Sequence, residues 1–238
     1  MPYRKDQFTN NEIYHITLRG IDEKRIFRDI HDYYRMIFSV YEFNNVKPVS
    51  IQHRRKERER WKNSKSLSSG IEEDKRERIV DILAFVWMPN HIHLLLNQLQ
   101  EGGITKFMRK VGTGFAAYFN KKYNKSGYVF QNRFFSLRID HNEQLKNAFT
   151  YINVNPASLV EPKWKEFGIK DSDKVINFLE NYKWSSYQDY LGRDNFPSVT
   201  HRGFITNIFG GINNIQRFVD NWILYKKECR AEFLNEFD

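Results

Sequence analysis

The chain has 238 residues, 40% of them hydrophobic and 20 of them Phe, which suffices for one domain, or one domain with an appendage. Thirty-eight Lys and Arg stand against 29 Asp and Glu, a net charge of +9 that is the usual footprint of a nucleic-acid partner, although many basic proteins bind none. The single cysteine, Cys229, excludes an internal disulfide and a Cys-rich zinc site; no apolar run approaches the ~20 residues of a membrane span, and the opening Met-Pro-Tyr-Arg-Lys-Asp has no apolar core like that of a secretory signal, so a cytoplasmic location without a membrane partner is expected.

Residues 11–19 alternate apolar and polar side chains and are β-rich, which predicts a strand ending at Gly20. Asp29 is a start signal for a helix to Phe43, with Tyr33, Ile37, Val40 and Tyr41 at helical spacing. Between Ile51 and Arg78 the composition turns basic, ten Lys/Arg against six Asp/Glu, around a Ser-rich middle. This segment, counted as an insertion over 46–79, reads equally as a solvated, partly helical excursion or as a basic arm gripping a DNA backbone. Asp81 to Trp87 and His91 to Asn97 form a hairpin by pattern, with Pro89-Asn90 as the turn signal. Ile104 to Lys122 is a helix with Phe107, Met108, Val111, Phe115, Tyr118 and Phe119 on one face; Gly112 and Gly114 either weaken it or let something approach closely. Phe134 to Ile139 reads as a further strand. Asp140 with Glu143 is a capping signature for a helix running to Asn155, which Pro156 stops. The order suits an α+β fold, an antiparallel sheet with helices packed on one face. Residues 193–238 are expected to be a helical C-terminal extension to a domain spanning 1–192.

Two constellations carry chemistry. In a strand, His91 and His93 point to one face while Ile92 points to the other, so both imidazoles can share a metal ion. The alternative is two polar residues on an exposed sheet face, against which stand the apolar flanks Ala84-Phe85-Val86 and Leu94-Leu95-Leu96. On the later helix, Leu145, Ala148, Phe149 and Ile152 form the apolar stripe, and Tyr151 and Asn155 stand beside it one turn apart. A tyrosine near a metal can attack phosphorus, and an amide oxygen one turn away can complete the coordination. A boundary tyrosine with a C-terminal asparagine cap is the plain alternative.

Five segments occur in order: Tyr14-His15-Ile16-Thr17-Leu18-Arg19-Gly20, Met88-Pro89-Asn90-His91-Ile92-His93-Leu94-Leu95-Leu96, Gly127-Tyr128-Val129-Phe130-Gln131-Asn132-Arg133, Tyr151-Ile152-x-x-Asn155-Pro156, and Trp184-Ser185-Ser186-Tyr187. Together they resemble the IS200-like single-tyrosine transposases of bacterial insertion sequences (HUH enzymes), and within them the REP-associated branch, over roughly Tyr14 to Gly192. The resemblance implies a ferredoxin-like sheet and a divalent metal, Mg²⁺ or Mn²⁺, on His91, His93 and Asn155. It further implies Tyr151 as the nucleophile that forms a 5′-phosphotyrosyl link with single-stranded or hairpin DNA. Imidazole alone also suits zinc. Arg19, Lys106, Arg109, Lys110 and Arg133 are the candidate phosphate contacts, and Tyr128 and Phe130 candidates for stacking on unpaired bases. Relatives work as monomers or homodimers. The expected function is thus a DNA transposase, a single-stranded endonuclease and strand transferase. A non-catalytic DNA- or RNA-hairpin binder of the same fold and a simple metal-dependent phosphodiesterase are the alternatives.

Overall fold

The structure is a computed structural model and describes residues 7–63, 74, 76–131 and 133–235. The Ser-rich middle of the basic insertion lies outside the described residues. The first half runs β1 (Ile13–Arg19), α1 (Ile30–Phe43), α2 (Ile51–Asn63), β2 (Val80–Met88), β3 (His91–Gln98), α3 (Gly103–Lys122) and β4 (Phe135–Ile139). The four strands form one antiparallel sheet in the order β2-β3-β1-β4. This is the ferredoxin-like arrangement, with α1 and α3 as the two connecting helices.

α1 starts where Asp29 accepts from the His31 and Asp32 backbone amides while Asp32 answers the Asp29 amide, a complete capping box. Its buried Met36, Ile37, Val40 and Phe43 join Phe107, Met108, Val111 and Phe115 of α3 over one sheet face, that of Ile16, Leu18, Ile92 and Leu94. The helices cross closely because Gly114 has no side chain: a Cβ there would lie 2.5 Å from the Phe43 ring. α2 is fastened to α1 by Arg54 and Arg58, which pair with the buried Glu42 at 3.0 and 2.8 Å.

Helices cover the second face too, in place of the single helical layer expected. The reason lies in the strands: β2 is buried at every position, so neither face can be left to solvent. α4 (Asn142–Val154) lies on this face with Leu145, Phe149 and Ile152 against Leu83, Ala84, Val86 and Leu95. Its N-cap is His141, whose Nδ1 accepts from the Gln144 amide, so the helix starts one residue after the Asp140 signal. After a short 3-10 turn (Asn155–Leu159) follow α5 (Trp164–Phe167), α6 (Ser172–Asn181), α7 (Tyr187–Tyr190), α8 (Arg202–Phe209) and α9 (Ile212–Asn235). Ile205 and Phe209 of α8 and Ile215, Val219 and Ile223 of α9 complete the same core.

Trp184-Ser185-Ser186-Tyr187 protects the outer edge of β2. The Trp87 amide donates to Trp184 O at 2.8 Å, and the Ser186 amide to Phe85 O at 2.9 Å. Ser186 Oγ accepts from the Phe85 amide at 3.0 Å and donates to Asn153 Oδ1 at 3.1 Å, tying α4 to the strand.

Candidate active site

The pairing register assembles the first part of the site. His93 lies opposite Thr17 and His91 opposite Arg19, so these side chains share the face that α4 covers. His15, two residues before Thr17, shares it as well, and its Nε2 lies 2.8 Å from His93 Nδ1. Thr17 Oγ1 is 3.0 Å from the same nitrogen. Both contacts hold His93 by Nδ1 and leave Nε2 facing α4. His91 is held by Asn90, whose Oδ1 is 2.7 Å from His91 Nδ1, so its Nε2 is left over in the same way.

α4 supplies the second part. With Phe149 and Ile152 locked in the core, Tyr151 and Asn155 are turned together toward the histidines. The Tyr151 ring lies edge-on to His93 and His15, with centroids 5.8 and 5.9 Å away. Asn155 is buried, and its amide nitrogen is 3.4 Å from His93 Nε2. The structure therefore brings His91, His93, Tyr151 and Asn155 to one place.

Burial keeps the imidazoles neutral. Desolvation lowers His15 to about 4 and His91 to about 4, the latter helped by the charges of Arg19 and Lys165. His93, almost fully enclosed, is pushed well below the ordinary range by burial and by its two histidine neighbours. Neutral rings are the form that ligates metal. Among the described residues no group of three or more His, Cys, Asp or Glu could hold a metal ion.

Two further residues stand here to which the sequence reading gave no role. His15 had a signal, since it shares the strand parity of Thr17. Lys165 had none: it sits in the four-residue helix α5, fourteen residues after Tyr151, and its Nζ donates to Tyr151 Oη at 2.9 Å. α5 is held by α9 through the Trp164 and Trp222 rings at 5.5 Å, and the segment just after it through the Ile169 amide on Lys226 O at 3.1 Å.

The candidate phosphate contacts separate. Arg19 borders the histidines and pairs with Glu23 at 3.3 Å. Lys106, Arg109 and Lys110 ride on α3, across the sheet from Tyr151. There Lys106 Nζ donates to Val46 O at 3.1 Å and Lys110 Nζ to Asn45 O at 2.5 Å. Arg133 is exposed just before β4. Tyr128 is 79% exposed, whereas Phe130 is packed in the core against Phe115 and is not free to stack on a base.

No curated protein matches the chain. A solved structure titled "Structure of the REP associates tyrosine transposase bound to a REP hairpin" is similar at 17% identity, over 85% of this chain and 95% of that one, with a TM-score of 0.44. Residues 42–155, from the end of α1 through β2, β3, α3 and β4 to Asn155, match the family described as "Transposase IS200 like". Over those residues the chain is similar to the IS200-like transposases.

Proposed function

We propose that this chain is a single-tyrosine DNA strand transferase of the REP-associated kind, acting on single-stranded DNA that carries a hairpin. The observation that carries the reading is the convergence of Tyr151, half-buried on α4, with two neutral imidazoles and a buried amide.

In this reading Tyr151 Oη attacks a backbone phosphorus. The new O–P bond forms as the bond to the 3′ oxygen breaks, leaving the DNA 5′-linked to the tyrosine. The 3′ oxygen departs as a hydroxyl, taking up the proton that the phenol gives to solvent, and a second strand's 3′-hydroxyl reverses the step. Lys165 sets its positive charge beside Oη as the phenol proton leaves. The donor set fits a divalent cation: the Asn90 contact on His91 and the His15 and Thr17 contacts on His93 fix each ring by one nitrogen and present the other, the usual arrangement behind ligating histidines. His91 and His93 would hold the ion through Nε2, and Asn155 through its amide oxygen. With only neutral protein donors, Mg²⁺ or Mn²⁺ bound there would polarise a substrate phosphate oxygen and offset its developing charge.

The test is covalent. Protein incubated with single-stranded hairpin DNA and Mn²⁺ is expected to give an SDS-stable adduct that is absent in Tyr151→Phe, with DNA affinity retained because phosphate contacts dominate it. An adduct that survives in Tyr151→Phe refutes the nucleophile. Binding without adduct across many hairpins would make the chain a recognition protein, and cleavage without adduct a hydrolase.

A further inference from the structure

The basic insertion and the segment after Gly192 meet on the other side of the sheet. They enclose a cavity of about 530 Å³ between α1, α2 and residues 195–199, inside the roughly 300–1,000 Å³ range of small-ligand sites. We infer that this cavity is a second binding site, for a deoxynucleotide unit, with Arg35 and Arg55 taking its phosphate and an aromatic wall of Tyr34, Tyr41, Tyr118 and Phe196 taking its base.

Arg35 is the central observation. Its guanidinium is half-buried over the Tyr118 ring, 5.2 Å from the centroid, and its only hydrogen bond among the described residues is a long one, 3.4 Å to Gly114 O. Nε is buried with no partner. Among the described residues no carboxylate lines the cavity. Desolvation, aggravated by the charge of Arg55, lowers Arg35 to about 10, so the site is short of negative charge. A buried cation without a counter-charge is costly, and an anion in the cavity relieves it. Arg55 is exposed at the rim and makes no ion pair among the described residues. Arg58, by contrast, is already taken by Glu42 and stacks on Phe38 and Tyr41.

The other wall is preformed. The amides of Asn195 and Phe196 both donate to the buried Asp189 carboxylate at 3.0 Å, and Asn195 Nδ2 donates to Lys183 O at 2.7 Å. Phe196 is thereby fixed facing Tyr34, 6.3 Å between centroids, and Tyr34 keeps 40% of its surface exposed. An anion site beside fixed rings calls for a ligand that is both a phosphate and a flat heterocycle. A nucleotide of a DNA strand and a free mononucleotide present that same chemistry.

The site does not depend on Tyr151 being the nucleophile, and the test is made in Tyr151→Phe protein, which excludes a tyrosyl link there. Single-stranded oligonucleotides carrying 5-bromodeoxyuridine are photocrosslinked and the attachment points mapped by mass spectrometry. Crosslinks are expected on Tyr34, Tyr41, Tyr118 or Phe196, falling on the order of tenfold in Arg35→Met and in Arg55→Ser, each of which removes a charge-assisted phosphate contact. Arg55 is exposed, so its variant keeps the test decisive if Arg35→Met disturbs folding. Excess deoxynucleoside monophosphate identifies the source: it displaces the crosslink if the site takes free nucleotide and leaves it if the unit must belong to a strand. The proposal is overturned if these residues carry no crosslink, or if crosslinks there persist undiminished in both arginine variants. Either failure leaves the covalent-adduct result for Tyr151 standing on its own.

Discussion

In the proposed reaction, Lys165 meets Tyr151 with a geometry suited to a reacting oxygen. The ammonium lies 2.9 Å from Oη and 4.8 Å from the ring centroid, so it can follow the oxygen from phenol to phosphate ester without rearrangement. A donor placed on developing charge is worth on the order of 10²-fold in rate, so Lys165→Gln is expected to slow adduct formation by about that factor while DNA affinity changes by less than about threefold, and Lys165→Arg to restore most of the rate. Adduct formation at the unaltered rate in the glutamine variant would make the contact incidental. The residues that were legible at this scale are those whose relations are local. His91 and His93 are two apart in a strand, and Tyr151 and Asn155 four apart on a helix, so strand and helix periods alone set them side by side. His15 was half legible, since its parity with Thr17 put it on the right face but its contact with His93 needed the β1–β3 register. Lys165 was not legible, because its position depends on how a distant helix packs.

That helix shows what an element without a motif contributes. α9 has no catalytic residue in the proposed site, yet it fixes α5 through Trp222 and the segment just after it through Lys226. Trp222→Ala is therefore expected to reproduce part of the Lys165→Gln defect, roughly tenfold in adduct rate, with no added effect when the two substitutions are combined; additive losses would separate α9 from Lys165. The Trp-Ser-Ser-Tyr segment is structural in another way. Ser186→Ala leaves the buried Phe85 amide and Asn153 Oδ1 without their hydroxyl partner, a loss of about 1–3 kcal/mol in urea unfolding, and an unchanged unfolding midpoint would show that the clasp carries no load. Elements were readable wherever burial falls on one side. β1 and the stripes of α1, α3 and α4 follow from period, and Asp29 from cap chemistry. The second helical layer was hidden because β2 is apolar at every position after Asp81, which reads the same whatever covers it.

For the whole molecule, the buried charges and rings set a two-stage response to acid. His15 and His91 are lowered from 6.5 to about 4 in the folded protein, so between those values the unfolded chain binds more protons. Their contribution is complete above 6.5 and is lost as the pH falls toward 4. The second stage belongs to the network that joins the start of α1 to the end of α3. Desolvation opposes ionisation of the fully buried Asp32, but hydrogen bonds from Lys122 at 2.7 Å, Tyr123 at 2.6 Å, the Arg28 amide at 2.8 Å and Tyr118 at 2.9 Å outweigh it and lower Asp32 below its ordinary 3.8. Asp29 is lowered chiefly by the same lysine. Their stabilisation is present above 3.8 and disappears as the pH drops through the lowered values, so the second loss sets in only below 3.8, where His93, held well under its ordinary range, is still losing its contribution. Urea unfolding in chelator between pH 7.5 and 3 is expected to show both. Lys122→Met should be less stable than the parent at pH 7 and should lose less between pH 4 and 3, because the lysine that holds the two carboxylates ionised is gone, while its decline between pH 6.5 and 4 stays parallel to the parent's. If the variant's curve instead remains parallel to the parent's below pH 4, the α1–α3 network does not set the acid limit of the fold.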